Sequence, residues 1–346
     1  MELSMPNLRR LVTLALLAAL IFAGVNAAAA QGRQFVNVYS SRHYGAMEQM
    51  FVEFTNETGI EVRLSQGSPQ ALLTRLEQEG PQTPADVFFS VDTGTLVLAA
   101  EKGLFQPIDS EVLRANVPEA LRDPENRWFG LSQRLRTIVY NPQKVDPSEL
   151  STYEALADPK WSGRLCLRPA THIYTISLVA SMIAALGEEK AEEVVRGWVA
   201  NKPQLIDSDT RILETIAAGG CDVGITNHYY VGRLYAQNPD FNVKIFWANQ
   251  ADRGVHRNVA GAGVTANAAN RENAIKLLEW LSDAEKGQAA DQSGLPGGNY
   301  EFPVNAKAPI NAIIASFGTP KIDDLPLTEL GKYQQAAIDL LGRAGY

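Results

Sequence analysis

Apolar positions along the chain follow two alternating rhythms. Short β-rich runs predict strands: QFVNVYS (34–40), EVRLSQG (61–67), ADVFFS (85–90), RLRTIVYNP (134–142), GRLCLRP (163–169), CDVGIT (221–226) and FNVKIFWAN (241–249). Between them apolar residues recur at helical spacing. In AMEQMFVEFTNETG they are Met47, Met50, Phe51 and Phe54, and the segment stops at Gly59. SPQALLTRLEQEG carries Ser68 as a predicted N-cap with Pro69 at the first helical position. TGTLVLAAEKG, YTISLVASMIAALG and NHYYVGRLYAQ read as further helices, and NRENAIKLLEWLSDAEKGQAAD as one long helix with an apolar stripe. Strands that alternate with helices predict an α/β protein with mainly parallel sheets. Ligands of such folds collect at the carboxyl ends of the strands.

The N-terminus breaks this rhythm. Arg9 and Arg10 precede an apolar run from Leu11 to Val25, and Ala28-Ala29-Ala30 precede Gln31. This reads as a secretory signal peptide cleaved near Ala30, because the apolar run is shorter than the ~20 residues of a membrane span. Without a cysteine at the cleavage point a lipid anchor is not expected, and Arg9-Arg10 alone does not tell twin-arginine from ordinary export. Removing residues 1–30 changes the net charge from −8 to −9 and leaves about 316 residues, enough for two domains. A mildly acidic chain lacks the clustered Lys and Arg that nucleic acid or anionic lipid would attract. Two cysteines, Cys166 and Cys221, fit either two buried thiols or one disulfide clipping neighbouring strands.

Chemistry concentrates where three predicted strands give way to helices. VNVYS is followed by SRHYG, LCLR by PATHIY, and DVGIT by NHYY, which places Tyr44, Tyr174, Tyr229 and Tyr230 at strand-to-helix turns. Side-by-side tyrosines in a helix interior diverge by roughly 100°. At a helix start both rings can lean into one space beyond the terminus, where the helix dipole favours an anion. Phenolate oxygen is a hard, anionic donor suited to a small, highly charged cation, whereas zinc and calcium sites draw on other donors. Four phenolates around Fe(III) leave one net negative charge, which one nearby arginine would balance. Neutral tyrosines could equally stack on an organic solute, and a single tyrosine at a turn is ordinarily a packing residue.

The ordered set of motifs VNVYSSRHY, ADVFFSVDTGTLVLAAEKGLFQPID, SQRLRTIVYNP, NHYYVGRL, RGVHRNVAGAGVTANAANRENAIKLLEWL and GNYEFPV resembles the ferric-iron substrate-binding proteins of bacterial ABC importers. Of these the chain is most like the cyanobacterial FutA branch. The resemblance spans nearly all of the chain after residue 30. It implies a two-lobed periplasmic-binding-protein fold of type II, each lobe a mixed, mainly parallel sheet flanked by helices, with ligand in the interlobe cleft. Residues 31–134 plus about 256–305 would form the first lobe. Residues 135–255 plus about 306–346 would form the second. His43, Tyr44, Tyr174, Tyr229 and Tyr230 become the metal ligands. Arg134 is the expected compensating cation; Arg136 shares its strand face, and Arg233 and Arg42 are weaker candidates. Val91 stands about where related proteins with fewer tyrosines carry a glutamate, and Asp92 is expected as a helix N-cap or hydrogen-bond partner. Fe(III) binding without a synergistic anion follows, with Fe(II) also tolerated, in a periplasmic monomer that serves an inner-membrane ABC permease.

Other readings keep the fold and change the ligand to a small organic cation or an oxyanion, or make the chain an enzyme. Against the enzyme, the sequence has no G-x-S-x-G elbow, no H-E-x-x-H, no P-loop and no complete dinucleotide fingerprint. His172, His228 and His256 read as loop histidines or as donors behind the ligands.

Overall fold

A computed structural model describes residues 34–42, 45–292 and 300–346. The expected leader, residues 1–30, and the candidate ligands His43 and Tyr44 lie outside the described residues. Among the described residues the strands are β1 (Phe35–Ser40), β2 (Glu61–Gln66), β3 (Val87–Ser90), β4 (Phe129–Tyr140), β5 (Leu165–Leu167), β6 (Gln204–Leu205), β7 (Val223–Asn227), β8 (Lys244–Phe246), β9 (Arg257–Val264) and β10 (Phe302–Pro303). The helices before β5 are α1 (Gly45–Thr58), α2 (Pro69–Glu79), α3 (Thr93–Glu101) and α4 (Glu111–Asn116). After β5 come α5 (Ile173–Leu186), α6 (Glu188–Ala200), α7 (Asp209–Ala217), α8 (His228–Gln237) and α9 (Arg271–Ser282). The chain closes with α10 (Gly287–Gln292), α11 (Ala312–Ala315), α12 (Thr328–Lys332) and α13 (Gln334–Ala344).

The strands run in the order β2-β1-β3-β9-β4-β7-β5-β6, with β8 and β10 also paired to β4. Outer pairings are parallel: β1 with β2 and β3, and β5 with β6 and β7. Pairings through β4 and β9 are antiparallel, so the sheets are more mixed than the βα alternation predicts. The reason lies in β4. Its first half, Phe129–Leu135, pairs with β9, and its second half, Arg136–Tyr140, pairs with β7 and β8. One strand thus joins two sheets, and the chain returns beside it through β9.

Two large cores accompany the two sheets. Val36, Val38, Phe54, Phe88, Trp128, Phe129, Val259 and Leu277 lie in one. Ile138, Trp161, Leu165, Val179, Val195, Trp198, Val223 and Leu340 lie in the other. The tail from about 306, expected wholly with the second lobe, divides between them: Leu327 and Leu330 join the first core, and Ala337, Leu340 and Leu341 the second. Among the described residues no helix is long and apolar enough to cross a membrane.

Local signals in the sequence reappear as contacts. The Ser68 Oγ accepts from the Ala71 amide at 3.3 Å and caps α2, with Pro69 at its first turn. The long helix predicted over 270–291 is two, because Asp283 is extended and its carboxylate accepts from the Glu285 amide at 2.9 Å. Gly287 then lets α10 fold against α9: a Cβ there would lie 2.4 Å from the Leu281 Cα. Cys166 in β5 and Cys221 just before β7 form a disulfide with Cα atoms 6.0 Å apart, which settles the alternative left open by the sequence.

Candidate metal centre

Tyr174 and the pair Tyr229-Tyr230 come from first turns of helices that follow neighbouring parallel strands, α5 after β5 and α8 after β7. His172 occupies the N-cap of α5, and its Nδ1 accepts from the Tyr174 amide at 3.2 Å. Its ring stands edge-on to Tyr174 with centroids 4.5 Å apart. This histidine orients the tyrosine turn.

The three rings converge. The hydroxyls of Tyr174 and Tyr229 are 3.2 Å apart, although the residues are separated by 55 positions. The rings of Tyr229 and Tyr230 lie 4.3 Å apart at 32°, so the adjacent tyrosines lean together. Asn227 sits at the N-cap position of α8 without using its side chain as a cap. Its Nδ2 instead donates to the Tyr229 hydroxyl at 3.5 Å. Tyr174 and Tyr229 are buried, and Tyr230 is half-buried.

Arginines surround these rings. The Arg134 and Arg136 guanidiniums, two apart on β4, lie 5.7 and 5.5 Å from the Tyr174 ring centre. That of Arg233 lies 5.2 Å from the Tyr229 ring and 5.4 Å from the Tyr230 ring. Positive charge against a ring face is attracted by the π-system. Arg136 is held by Asp209 at 2.8 Å, by the Asn227 Oδ1 at 3.2 Å and by the Ile225 carbonyl at 3.0 Å. Arg134 and Arg42 both approach the buried carboxylate of Glu301, at 3.9 and 3.7 Å. Ser132 donates to that carboxylate and accepts from Arg42 at 2.9 Å. Burial alone would raise the Glu301 carboxyl, but Arg134, Arg42 and the Ser132 hydroxyl together hold it below the usual range.

A cleft of about 420 Å³ opens beside Tyr174. Ser41, Arg42, Gln66, Gly67, Ser68, Pro69, Val91, His172, Ile173 and Tyr174 line it. Arg42, the last described residue before His43 and Tyr44, therefore faces the same space as Tyr174. Val91, at the place expected of a glutamate in related chains, brings only an apolar surface there. Asp92 turns away and caps α3, where its Oδ2 accepts from the Thr95 amide at 2.8 Å.

Two histidines stand apart from this geometry. His228 is buried and stacks on Phe302 with centroids 4.7 Å apart, its Nδ1 accepting from the Leu135 amide at 3.1 Å. Burial lowers its pKa to about 4. His256 is buried beside Ser177, and burial with the neighbouring arginines lowers it to about 3. Among the described residues no three His, Cys, Asp or Glu side chains are grouped so as to hold a metal ion. Sequence reasoning gave no role to Glu301, Asp209 or Asn227. A signal for the first was present: a lone acid inside the apolar phrase NYEFPV must find a cation if it is buried.

The family model for bacterial extracellular solute-binding proteins matches residues 39–288. The chain belongs to this family. This solute-binding protein is 44% identical over 323 residues to iron uptake protein A1 of Synechocystis sp., covering 91% of this chain and 88% of the relative. It is 28% identical over 341 residues to the Fe(3+)-binding periplasmic protein of Serratia marcescens, covering 96% of each. Among solved structures, Trichodesmium IdiA (FutA) in complex with iron and citrate ligands aligns with a TM-score of 0.81 at 42% identity, covering 90% of this chain and 99% of that one. The solute-binding protein thus shares the fold of iron-binding relatives along most of its described length.

Proposed function

We propose that this solute-binding protein captures Fe(III) in the periplasm and delivers it to an inner-membrane ABC permease. His43, Tyr44, Tyr174, Tyr229 and Tyr230 are the proposed ligands. One observation carries the reading: the Tyr174 and Tyr229 hydroxyls lie 3.2 Å apart beside the Tyr230 ring. Oxygens at that separation suit two positions around one small cation, and a hard trivalent ion matches phenolate donors. A bound cation also deprotonates its ligands, so the tyrosines need not be ionised beforehand. The names of the Synechocystis and Serratia relatives support iron as the solute.

In this reading residues 31–134 with about 256–305 form one lobe, and the middle of the chain forms the other. Metal bridging Tyr44 and Tyr174 would favour the closed state over the open one, which is the differential binding that drives hinge closure. Cleavage of the leader near Ala30 releases the chain as a monomer, a binding protein rather than an enzyme. Fe(II) fits the same donors if one tyrosine keeps its proton.

Adding Fe(III) to the purified, metal-free protein should give an orange-to-red band from phenolate-to-iron charge transfer. Tyr229→Phe and Tyr230→Phe should each bleach or shift it. The Trichodesmium relative was solved with citrate, so the titration is run with and without citrate; colour is expected in both. A colourless wild type, or full colour and affinity in both variants, would overturn the assignment.

A further inference from the structure

We propose that Ser177 and Asn258 are positioning residues that set the place of the Tyr174 hydroxyl, through a directional chain of buried hydrogen bonds anchored on Asp92. The proposal rests on the metal-binding reading above and adds residues to which that reading gives no part.

Ser177 lies three residues after Tyr174 on α5, on the same side of the helix. Its Oγ is 2.6 Å from the Asn258 Nδ2 and 3.2 Å from the His256 Nε2. Asn258 belongs to β9, the strand that returns beside β4. Its Nδ2 also donates to the Asp92 Oδ1 at 2.8 Å, while its Oδ1 accepts from the Thr93 amide at 3.0 Å and the Val259 amide at 2.7 Å. Exchanging the amide oxygen and nitrogen would set oxygen against the Asp92 carboxylate and NH₂ against two backbone N–H groups. The orientation is therefore fixed.

Directions follow from this inventory. Both amide hydrogens of Asn258 have acceptors, Asp92 and Ser177. The Ser177 oxygen accepts from Asn258, and in the proposed chain its own proton points to the His256 Nε2. That nitrogen must then be a bare acceptor, which requires neutral His256 with its proton on Nδ1. A pKa lowered to about 3 by burial keeps the ring neutral at any working pH.

Asp92 anchors the far end. Its Oδ2 accepts from the Thr95 amide and hydroxyl at 2.8 and 3.0 Å, and from the Gln334 Nε2 at 3.3 Å. The chain of bonds thus runs from the N-cap of α3 in the first core, across β9, to the helix that presents Tyr174 from the second. Asp92, Asn258, Ser177 and His256 are each at most 4% exposed. Losing the Ser177 hydroxyl therefore leaves one buried Asn258 N–H and the His256 Nε2 without the partner they have here.

Ser177→Ala tests the chain, with Ser177→Thr restoring the hydroxyl. The readouts are the charge-transfer band, the rate of iron loss to excess EDTA, and the melting temperature of the metal-free protein. Ser177→Ala should shift the band and release iron about tenfold faster, the equivalent of one lost net hydrogen bond. Ser177→Thr should return both toward wild type. An unchanged band and release rate in Ser177→Ala, or Ser177→Thr behaving like it, overturns the proposal while leaving the tyrosine site intact. A colourless wild type sinks both. A metal-independent measurement uses the unaltered protein: ¹⁵N spectra of histidine-labelled apoprotein should show His256 as the Nδ1–H tautomer. Finding the proton on Nε2 would overturn the chain even if Ser177→Ala failed to fold.

Discussion

Acidifying the metal-free protein should weaken it along a slope set by two histidines. His228 and His256 are buried and neutral in the fold, with pKa values lowered to about 4 and about 3, mainly by desolvation. In the unfolded chain each titrates near its ordinary value of about 6.5, so unfolding takes up protons below that pH. Their stabilising effect is complete above pH 6.5 and is lost as pH falls toward the folded values. Well below pH 6.5 each contributes about 1.4 kcal/mol per pH unit, or about 4 kcal/mol together between pH 7.5 and 5. That is a large share of the ~5–15 kcal/mol typical of a folded domain. Glu154 and Glu301, whose folded pKa values are held down, add their losses only below the ordinary glutamate range. Asp92 opposes the trend, because burial raises its carboxyl and protonation there relieves the fold. His256→Gln separates the terms: its amide oxygen still accepts from Ser177, and it removes about 1.4 kcal/mol per unit from the slope. Equilibrium urea unfolding between pH 7.5 and 5, followed by tryptophan fluorescence, reads both proteins. Equal slopes for wild type and variant, or ring protons of His228 and His256 in the folded protein titrating near 6.5, would refute the reasoning.

Two further outcomes concern groups behind the tyrosines. Asp209→Asn removes a buried charge shared by Arg136 at 2.8 Å and Arg168 at 3.4 Å. Breaking such a pair costs about 3 kcal/mol, and calorimetry should show a melting point lower by roughly 6 °C or more; an unchanged melt would mean that the arginines find other partners. Cys166→Ser with Cys221→Ser opens a loop closed over a sequence separation of 55 residues. Chain entropy predicts a loss of about 4 kcal/mol, to be read from urea midpoints, and a variant as stable as wild type would contradict it.

The elements were legible because their signals are local. Period-two and period-3.6 patterns placed β1, β2, β3, α2 and α3 near their observed bounds, and Ser68 and Asp92 cap the helices they precede. The break at Asp283 was missed because apolar residues keep helical spacing across it, while the turn depends on one carboxylate-to-amide bond. Sheet order lies beyond such patterns. Pairing of β3 with β9 joins Val87 to Val264, a contact that no short window contains. The same limit applies to the site. Adjacent tyrosines at a strand-to-helix turn announce themselves, whereas Asp209 looks like a surface acid until the fold sets arginines beside it.

Those arginines also weigh the choice of solute. Arg134, Arg136 and Arg233 stand against the tyrosine rings, Arg42 lines the same cleft, and the carboxylates paired among them are Glu301 and Asp209. Among the described residues these guanidiniums gather positive charge beside the hydroxyls. An organic cation entering the cleft would add to that charge and be repelled. Fe(III) with four phenolates carries one net negative charge and would be held by it, as would an oxyanion. The oxyanion, however, gives no reason for two hydroxyls to meet at 3.2 Å with a third tyrosine stacked beside them. Oxygen donors gathered this closely are what a small cation needs, which favours the proposed iron site over the oxyanion.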